Sequence, residues 1–391
     1  MQGGSGFSIL WSGSKRPHMP SASSSSSRSK AEDPPSPERA LAELPVRSKL
    51  DELLKLARGR QRVLVLTHDN PDPDSIASAV ALAFLLEKRA GIETRVVYGG
   101  IIGRAENLAL VKVLRLPISP VSQVVFDEHD LLALVDTQPP VGNHSVPARY
   151  PVEVVLDHHP LRDESLGAPF ADVGGEYGAT STMLVEYLRA AKLEPSIEVA
   201  TALFYGIKTD SRDLGRQTTP ADIEAYLWLF PRVDKHLLGR IEHPDLPAEY
   251  FRLYHSAIGR ARVYGQTVVT VDLGEVYSPD MVAEVAERLS FLEGMKWSLA
   301  MGTFRRQLYV SLRVRDRRMN AGRLIRDICE NRGGSAGGHG SMAGARLPMP
   351  VGRAGAALRR ELTQDFLEAF GAKGERARSL LLAGKSAALE R

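Results

Sequence analysis

Short apolar runs alternate with helical patterns along the first half of the chain. The runs that we interpret as buried β-strands cover residues 63–66, 94–98, 131–135 and 152–156. Apolar residues recur at helical spacing over residues 76–88, 180–191 and 197–207, and in a stretch that begins at residue 40. Apolar strands that alternate with helices are typical of a parallel sheet covered on both faces. The pattern therefore predicts an α/β domain over residues 41–225.

The second half of the chain predicts a helical connector and a smaller α/β unit. Residues 226–262 are mixed helical and include Pro231, Pro244 and Pro247, so we interpret them as the connector. The order predicted for residues 263–372 is strand, helix, strand, strand, helix, glycine-rich loop and helix. These strands and helices are expected at residues 263–271, 279–292, 297–304, 308–314, 321–330 and 353–370. Residues 373–391 are interpreted as a C-terminal tail.

Composition places the chain among globular proteins with one polar tail. Hydrophobic residues make up 43% and charged residues 25% of the 391, both close to globular averages. The first forty residues hold twelve serines, five of them consecutive at 23–27, which predicts a disordered tail over residues 1–40. We find no apolar run that could cross a bilayer and no signal-peptide stretch. With Cys329 as the only cysteine, an internal disulfide and a multi-cysteine zinc site are excluded, and we expect a cytoplasmic protein.

Charge is distributed unevenly along the chain. The net charge is only +3, but residues 301–353 carry eleven arginines against three acids, a local net of +8. Such a basic segment indicates an anionic substrate or a nucleic acid. A solvated face with interspersed arginines is the alternative interpretation.

Acids and histidines follow three of the predicted strands where each ends, and one more acid follows a predicted helix. They are His68, Asp72 and Asp74 after the first strand, Asp136 after the third, Asp157, His158 and His159 after the fourth, and Asp210 after the helix. The carboxyl ends of parallel strands meet at one edge of a sheet, so these side chains are expected to lie together. Carboxylates combined with imidazoles suit Mn²⁺ or Mg²⁺. Each acid alone is equally typical of a turn or a helix cap, but four convergent sites favour a metal centre.

These motifs resemble those of the DHH phosphoesterase superfamily, which takes its name from the triplet present here at residues 157–159. The resemblance covers residues 60–350. It rests on residues 68–74, 135–137, 157–159, 178–181 and 209–211, and on Gly337-Gly338-His339 followed by Ala343-Gly344. The last element is similar to the DHH-associated substrate-binding domain. The subgroup that the motifs resemble most is the nanoRNases, which act on short oligoribonucleotides and 3′-phosphoadenosine-5′-phosphate.

The resemblance implies a centre of two Mn²⁺ ions, with Mg²⁺ or Co²⁺ as alternatives. One ion would be held by His68, Asp72 and Asp136, and the other by Asp74, Asp136, His158 and Asp210. Two such ions activate a water for attack on phosphorus and stabilise the departing oxygen. Asp136 would bridge the ions. Asp157 and His159 would assist catalysis beside them, His159 either as partner of a ligand or in contact with the substrate phosphate or the leaving group.

The same resemblance assigns substrate binding to the C-terminal unit. The residues that it marks are Ser311, Arg313, Gly337, Gly338 and His339. Arg313 would clamp a phosphate, while the glycines let backbone amides approach it closely. Pro73 and Ala336 stand where many relatives have glycine, which leaves open how much room the substrate has and what the glycine-rich loop contacts.

We therefore expect a manganese-dependent phosphoesterase that acts on short RNA or nucleotide phosphates, without a role for membranes. The direction of degradation and a homodimer stay open. Hydrolysis of cyclic dinucleotides or their linear products is one alternative, and a non-catalytic RNA-binding module is another. The six complete ligand positions disfavour the second, because buried acids without metals cost stability. The Gly-Gly-His element disfavours a pyrophosphatase, and the absence of an added nucleic-acid-binding domain disfavours a RecJ-type exonuclease.

Overall fold

The computed structural model describes residues 44–383 apart from 140–142, 175, 217 and 317–318. The tail expected over residues 1–40 lies outside the described residues, and so do residues 384–391 of the expected C-terminal tail. The described chain folds as two α/β units, each built on its own sheet. None of the helices in these ranges is long and apolar enough to cross a membrane.

The first unit is built on a six-stranded sheet. Its strands are β1 (Arg62–Leu66), β2 (Glu93–Tyr98), β3 (Ile118–Pro120), β4 (Asp130–Val135), β5 (Val154–Asp157) and β6 (Phe170–Val173). Its helices are α1 (Val46–Ala57), α2 (Pro73–Ala90), α3 (Ala105–Leu114), α4 (Thr180–Ala190) and α5 (Ile197–Asp210). All strands are parallel, in the order β3-β2-β1-β4-β5-β6. The predicted parallel sheet is therefore confirmed.

Both faces of this sheet are buried, which explains why its central strands, β1 and β4, are apolar at every position after the first. Val63, Val65 and Ala133 belong to the core that also contains helices α2, α4 and α5. Leu64 and Leu66 point to the opposite face, where partly buried side chains of segments 121–126 and 146–152 cover them. Full burial of one such leucine contributes roughly 2 kcal/mol, so both faces stabilise the sheet that holds the strand ends in place.

Four parts of the first unit differ from the sequence-based expectations. Strands β3 and β6 and helix α3 were not predicted, and all three are short. Strand β6 contains the buried Asp172, whose charge interrupts the apolar pattern. Helix α5 extends to Asp210, so this acid lies in the last turn of the helix and not in the loop after it.

Three helices lie between the two sheets. They are α6 (Pro220–Leu229), α7 (Lys235–Glu242) and α8 (Ala248–Arg260). The connector expected at residues 226–262 thus contains the end of α6, all of α7 and α8, and the first residue of the next strand.

The second unit is built on a seven-stranded mixed sheet. Its strands are β7 (Arg262–Tyr264), β8 (Val268–Glu275), β9 (Trp297–Phe304), β10 (Gln307–Val314), β11 (Ser335–His339), β12 (Met342–Pro348) and β13 (Arg378–Ser379). Its helices are α9 (Asp280–Ser290), α10 (Ala321–Cys329), α11 (Arg353–Ala369) and the short α12 (Leu380–Ala383). The strand order is β11-β12-β10-β9-β8-β7-β13, with β8 and β9 parallel and the other neighbours antiparallel. Helices α10 and α11 pack on one face, and α8 and α9 on the other.

Two expectations for the second unit are corrected. The strand expected at residues 263–271 is a hairpin of β7 and β8, because Gly265 adopts a left-handed conformation (φ 56°) that turns the chain back. The glycine-rich loop is an edge strand, β11, which pairs with β12. Its glycines did not suggest a strand, since the pairing depends on a neighbour that comes later in the chain.

Candidate metal centre and active site

The strand ends of the first unit bring the candidate ligands together. In the sheet, Leu66 of β1 pairs with Leu134 of β4, and Val135 pairs with Leu156 of β5. The residues that follow these strands therefore leave the same edge of the sheet. Asp210 reaches this edge from the last turn of α5.

The ligand atoms form two groups that face a common carboxylate. His68, Asp72 and Asp136 offer atoms that all lie within 4.8 Å of one another, and so do Asp74, His158 and Asp210. Asp136 Oδ2 lies 3.7 Å from His68 Nε2, and its other oxygen, Oδ1, lies 3.7 Å from His158 Nε2. Asp136 thus occupies the position between the groups that the resemblance assigned to a bridging ligand.

The separations fit ligands that share a cation better than hydrogen bonds. His68 Nε2 lies 3.8 Å from Asp72 Oδ1, and His158 Nε2 lies 3.3 Å from Asp210 Oδ2. A contact near 3.7 Å is too long for a hydrogen bond. Two ligands held about 2.1 Å from one ion at roughly right angles lie about 3 Å apart, only slightly closer than seen here.

The two histidines are oriented as metal ligands. The Nδ1 atom of His68 lies 3.0 Å from the carbonyl oxygen of Asp69, and that of His158 lies 3.3 Å from the carbonyl oxygen of Tyr177. A backbone carbonyl accepts only from a protonated nitrogen, so each ring carries its proton on Nδ1 when neutral. The lone pair of Nε2 then points toward the carboxylates, as in many metal sites.

Two helix N-termini hold the acids of the first motif. Asp72 is the N-cap of α2 and accepts a hydrogen bond from the Ser75 amide (3.0 Å). Pro73 occupies the first position of α2, where a missing N–H costs nothing, so this departure from glycine fits the local fold. Asp74 is buried and accepts from the amides of Thr180 (2.7 Å) and Ser181 (2.8 Å) at the start of α4. The positive end of that helix stabilises the carboxylate.

Asp136 sits on a backbone that disfavours it. Its φ of 59° lies in the left-handed region, which costs a non-glycine residue of order 1 kcal/mol. The hydroxyl of Thr180 donates a hydrogen bond to its Oδ1 (2.9 Å), and the Asp136 amide donates to the carbonyl of Leu156 (2.9 Å). These contacts keep the carboxylate aimed between the two groups.

Electrostatics show a shortage of positive charge at the cluster. Burial and then the carboxylates of Asp74 and Asp72 raise the pKa of Asp136 well above its usual value. Burial followed by the same two acids raises the pKa of Asp210 to about 8. Burial favours the neutral ring of His68, yet the carboxylate of Asp72 outweighs it and raises the pKa of His68 to about 9. Bound cations would offset these acids and displace the imidazole proton, so the residues fit a metal centre.

His159 lies beside the cluster and is held by Asp157. Its Nδ1 lies 2.8 Å from Asp157 Oδ1, and 3.8 Å from Asp136 Oδ1. Burial favours the neutral ring of His159, but Asp157 outweighs it and raises the pKa of this histidine. Burial conversely favours neutral Asp157, yet the hydrogen bond with His159 lowers the pKa of the acid. His159 at the margin of the candidate centre therefore holds a proton more readily than a free imidazole.

The sheet register aligns the predicted substrate-binding residues of the second unit. Arg313 and His339 both pair with Met342, from opposite sides of β12, and Ser311 and Gly337 both pair with Gly344. The Ser311 hydroxyl accepts from Arg313 Nη1 (2.8 Å), and burial lowers the pKa of Arg313 to about 10. Gly338 follows Gly337 along β11; the side chain of His339 lies outside the described residues.

The two units contact each other through charged side chains. Glu287 of α9 lies 3.3 Å from Arg104 and 3.9 Å from Arg212, which both come from the first unit. Gly103 comes so close to α9 that a Cβ there would lie 1.9 Å from Asp280 Oδ2. Helix α9 of the second unit thus lies against the loops of the first unit that carry Gly103, Arg104 and Arg212.

Comparison with known proteins identifies both units. Residues 62–207 match the DHH family, N-terminal domain, and residues 265–371 match the DHHA1 domain. The chain belongs to the DHH family. This confirms the superfamily that the motifs resembled, and the DHHA1 match covers the sheet that carries Arg313 and Gly337.

Two curated relatives of this DHH protein match over part of their length. An uncharacterized protein, MJ1633, of Methanocaldococcus jannaschii is 33% identical over 321 residues, which cover 80% of this chain and 65% of that protein. A probable manganese-dependent inorganic pyrophosphatase of Lactobacillus gasseri is 27% identical over 156 residues, which cover 40% of this chain and 50% of that protein. The chain thus spans less than two thirds of either relative.

A solved structure shows the same DHH fold. An exopolyphosphatase-related protein from Bacteroides fragilis has a TM-score of 0.64 at 15% identity, over 82% of this chain and 97% of that one. At this identity the similarity concerns the fold alone.

Three buried polar residues to which sequence reasoning assigned no role organise this DHH site. Thr180 holds Asp74 and Asp136; Gln138 donates to Asp157 Oδ2 (2.7 Å); Asp222 accepts from the Gly178 amide (2.8 Å). Residues 178–181 carried a motif without a role. Gln138 and Asp222 gave no signal, because a lone polar residue has no periodicity to mark it.

Proposed function

We propose that the chain is a manganese-dependent phosphoesterase that hydrolyses short oligoribonucleotides, with 3′-phosphoadenosine-5′-phosphate as a further substrate. The observation that carries the proposal is the pair of ligand groups that share Asp136. The proposed ligands of one ion are His68, Asp72 and Asp136, and those of the other are Asp74, Asp136, His158 and Asp210. The pyrophosphatase relative is named as manganese-dependent, and the imidazole-carboxylate donor set suits that ion.

The chemistry proposed for the bound ions is activation of a water and neutralisation of phosphate charge. The protein contributes orientation. The carbonyls of Asp69 and Tyr177 fix both ligand imidazoles, and the start of α4 fixes Asp74. These groups are hydrogen-bonded before any ligand arrives, so little reorganisation is needed on binding.

His159 is proposed to stabilise the phosphate or the leaving oxygen. Asp157 Oδ1 lies 2.8 Å from His159 Nδ1, and this contact raises the pKa of His159 against the effect of burial. A cationic ring at the margin of the cluster can donate a hydrogen bond to a negatively charged oxygen. Asp157 in this proposal acts through His159 and not on the substrate.

The second unit supports a nucleotide substrate over pyrophosphate. It matches the DHHA1 domain and places Ser311 and Arg313 on β10, across β12 from the glycine pair of β11. The basic segment 301–353 supplies the positive charge that an oligonucleotide with several phosphates needs. We propose that this sheet binds the substrate while the first unit hydrolyses it.

A substrate panel tests the proposal. Purified protein with Mn²⁺ is assayed on 3′-phosphoadenosine-5′-phosphate, on di- to pentaribonucleotides, on cyclic di-AMP and on pyrophosphate. We expect the highest kcat/KM on the shortest ribonucleotides, and loss of turnover after chelation. Preference for cyclic di-AMP would favour the cyclic dinucleotide alternative. Full turnover in the chelated protein would contradict a metal mechanism, and absence of turnover on every substrate would leave the RNA-binding module.

A further inference from the structure

The turn that follows Asp210 has an unusual backbone. Arg212, Asp213 and Leu214 are three successive non-glycine residues with left-handed φ angles of 50°, 56° and 61°. Such conformations persist only where the surrounding structure fixes them, and they cluster at functional sites. The turn begins two residues after a proposed metal ligand.

The side chains of Ser211, Asp213 and Leu214 in this turn are tied to the first unit. Ser211 is buried, and its hydroxyl donates to the Ile207 carbonyl (2.6 Å) and accepts from the Leu214 amide (3.0 Å). Asp213 forms an ion pair with Lys208 (3.1 Å). Leu214 packs against the core of the first unit. The fixed turn therefore presents the Arg212 side chain to the second unit.

The guanidinium of Arg212 lies beside the substrate-binding sheet. Its Nη2 is 3.8 Å from Met342 Sδ, and Met342 pairs with Arg313 in the sheet. Arg313 itself has a buried Nε that makes no hydrogen bond within the described residues. Two guanidiniums, one from each unit, thus lie near the same stretch of β12.

The acid near Arg212 is shared. Glu287 lies 3.9 Å from Arg212 but only 3.3 Å from Arg104, and the charges of Asp280 and Glu284 act on Arg104 as well. The side chain of Arg212 is 48% exposed. Its positive charge is less well compensated by nearby acids than that of Arg104. An anion at this contact between the units would therefore bind Arg212 more readily than Arg104.

We infer that Arg212 binds a phosphate of the substrate other than the one that is hydrolysed. Arg212 lies two residues beyond the proposed ligand Asp210, whereas its guanidinium reaches Met342 and Glu287 of the second unit, so a phosphate at Arg212 would be a different one from the phosphate at the Asp210 group. The favoured substrates are then short oligonucleotides with a phosphate next to the scissile one, such as a 5′-phosphorylated dinucleotide. This inference rests on the proposed function and adds a substrate preference to it.

The test compares two dinucleotides in Mn²⁺-loaded protein: pApA, which has a second phosphate, and ApA, which has only the scissile one. The variant Arg212→Gln is matched with Arg189→Gln, because Arg189 is 45% exposed, lies 3.8 Å from its one acid partner, Glu224, and sits at the far end of α4. We expect the ratio of kcat/KM for pApA over ApA to fall about tenfold in Arg212→Gln and to stay unchanged in Arg189→Gln. Arg212→Lys should recover part of the ratio, since it keeps the charge but not the bidentate geometry.

Two further readouts separate phosphate binding from support of Asp210. The metal content of Arg212→Gln should equal that of the parent protein. The fall of log kcat/KM for pApA with rising salt should become shallower, because one contact between opposite charges that salt screens is lost. Equal ratios in both variants would overturn the inference, and so would loss of metal from Arg212→Gln. If the parent protein hydrolyses neither dinucleotide, the proposed function fails instead.

Discussion

A left-handed aspartate between two ligand groups makes Asp136 the residue on which the proposed centre depends. Each of its oxygens lies 3.7 Å from a histidine of a different group. We expect Asp136→Asn to abolish hydrolysis and to reduce bound Mn²⁺ from two ions to at most one per chain. Asparagine tolerates left-handed backbone, so the fold should persist. Metal analysis together with a turnover assay measures both effects.

The control for that variant is Asp127→Asn. Asp127 lies near the start of β4, at the opposite edge of the same sheet, and accepts a hydrogen bond from the His129 amide. This change should leave metal content and turnover as they are. Normal metal content in Asp136→Asn would show that the bridge has been assigned to the wrong residue.

Gln138 links the end of β5 to the segment that follows it, through both ends of its side-chain amide. Its Nε2 donates to Asp157 Oδ2 (2.7 Å), and its Oε1 accepts from the Arg162 amide (3.0 Å) and the Ser165 hydroxyl (2.7 Å). Gln138→Leu leaves these buried groups unpartnered, so we expect unfolding free energy to fall by about 2 kcal/mol or more. Turnover should fall too, because Asp157 no longer holds His159 in place.

Urea unfolding in the presence of Mn²⁺ measures that loss. The matched variant is Gln123→Leu, which changes an exposed glutamine and should shift stability by less than about 0.5 kcal/mol. Equal stability of the two variants would mean that water or rearrangement satisfies the groups around Gln138.

At this scale the sequence identified the acids and histidines but not the residues that orient them. A carboxylate that directly follows an apolar strand can be placed from the sequence, because the carboxyl ends of parallel strands lie at one edge of the sheet. Thr180 and Asp74 are 106 residues apart, and their hydrogen bond arises only when α4 packs against α2. No local pattern announces such a contact.

Helix α1 is attached to the first unit by a buried ion pair. Lys49 Nζ lies 2.7 Å from Asp172 Oδ1, both side chains are 7% exposed, and the Tyr187 hydroxyl donates to the other oxygen of Asp172 (2.8 Å). Lys49→Met leaves a buried carboxylate without its cation. We expect it to lower the unfolding free energy by about 3–5 kcal/mol, as measured by urea unfolding.

The control variant changes another lysine of the same helix. Lys55 pairs with Glu52 at 3.5 Å, but their side chains are 76% and 55% exposed. Lys55→Met should therefore change stability by less than about 0.5 kcal/mol. If both variants lost the same amount, the length of the side chain rather than the buried charge would explain the Lys49 effect.

Elements with many apolar residues could be predicted, and elements defined by their partners could not. Strands β1, β4 and β5 are continuous apolar runs, and helices α2 and α5 repeat at helical spacing. Strand β11 consists of small residues and a histidine, and β6 has a charge at its centre. Their strand conformation is set by neighbouring strands, a tertiary effect that local propensity does not contain.

For the whole molecule, metal and stability are expected to be coupled. The pKa of Asp210 is raised to about 8 and that of Asp136 is also raised well above its usual value, whereas an unfolded aspartate has a pKa of about 4. A raised pKa in the folded state stabilises the fold at low pH, and this contribution is lost as pH rises toward 8. The chelated protein should therefore lose stability between about pH 5 and pH 8.

Mn²⁺ should reverse that loss, since it replaces protons as the partner of the carboxylates. Thermal unfolding with and without added Mn²⁺ should show a rise in Tm that is larger at pH 8 than at pH 6. The Asp136→Asn variant should show a smaller rise. A Tm that ignores Mn²⁺ at both pH values would count against a metal centre in the first unit.

The backbone angle of Asp136 implies that folding and chemistry select for different amino acids at one codon. A library with all twenty residues at this position can be sorted once for the amount of folded protein and once for activity. Glycine, which needs no strain at φ 59° and buries no charge, should be enriched over aspartate in the first sorting. Aspartate should survive the second almost alone. A map of tolerated substitutions based on protein abundance would then show aspartate as suboptimal for folding at position 136. The same position would be the most constrained one of the proposed metal centre.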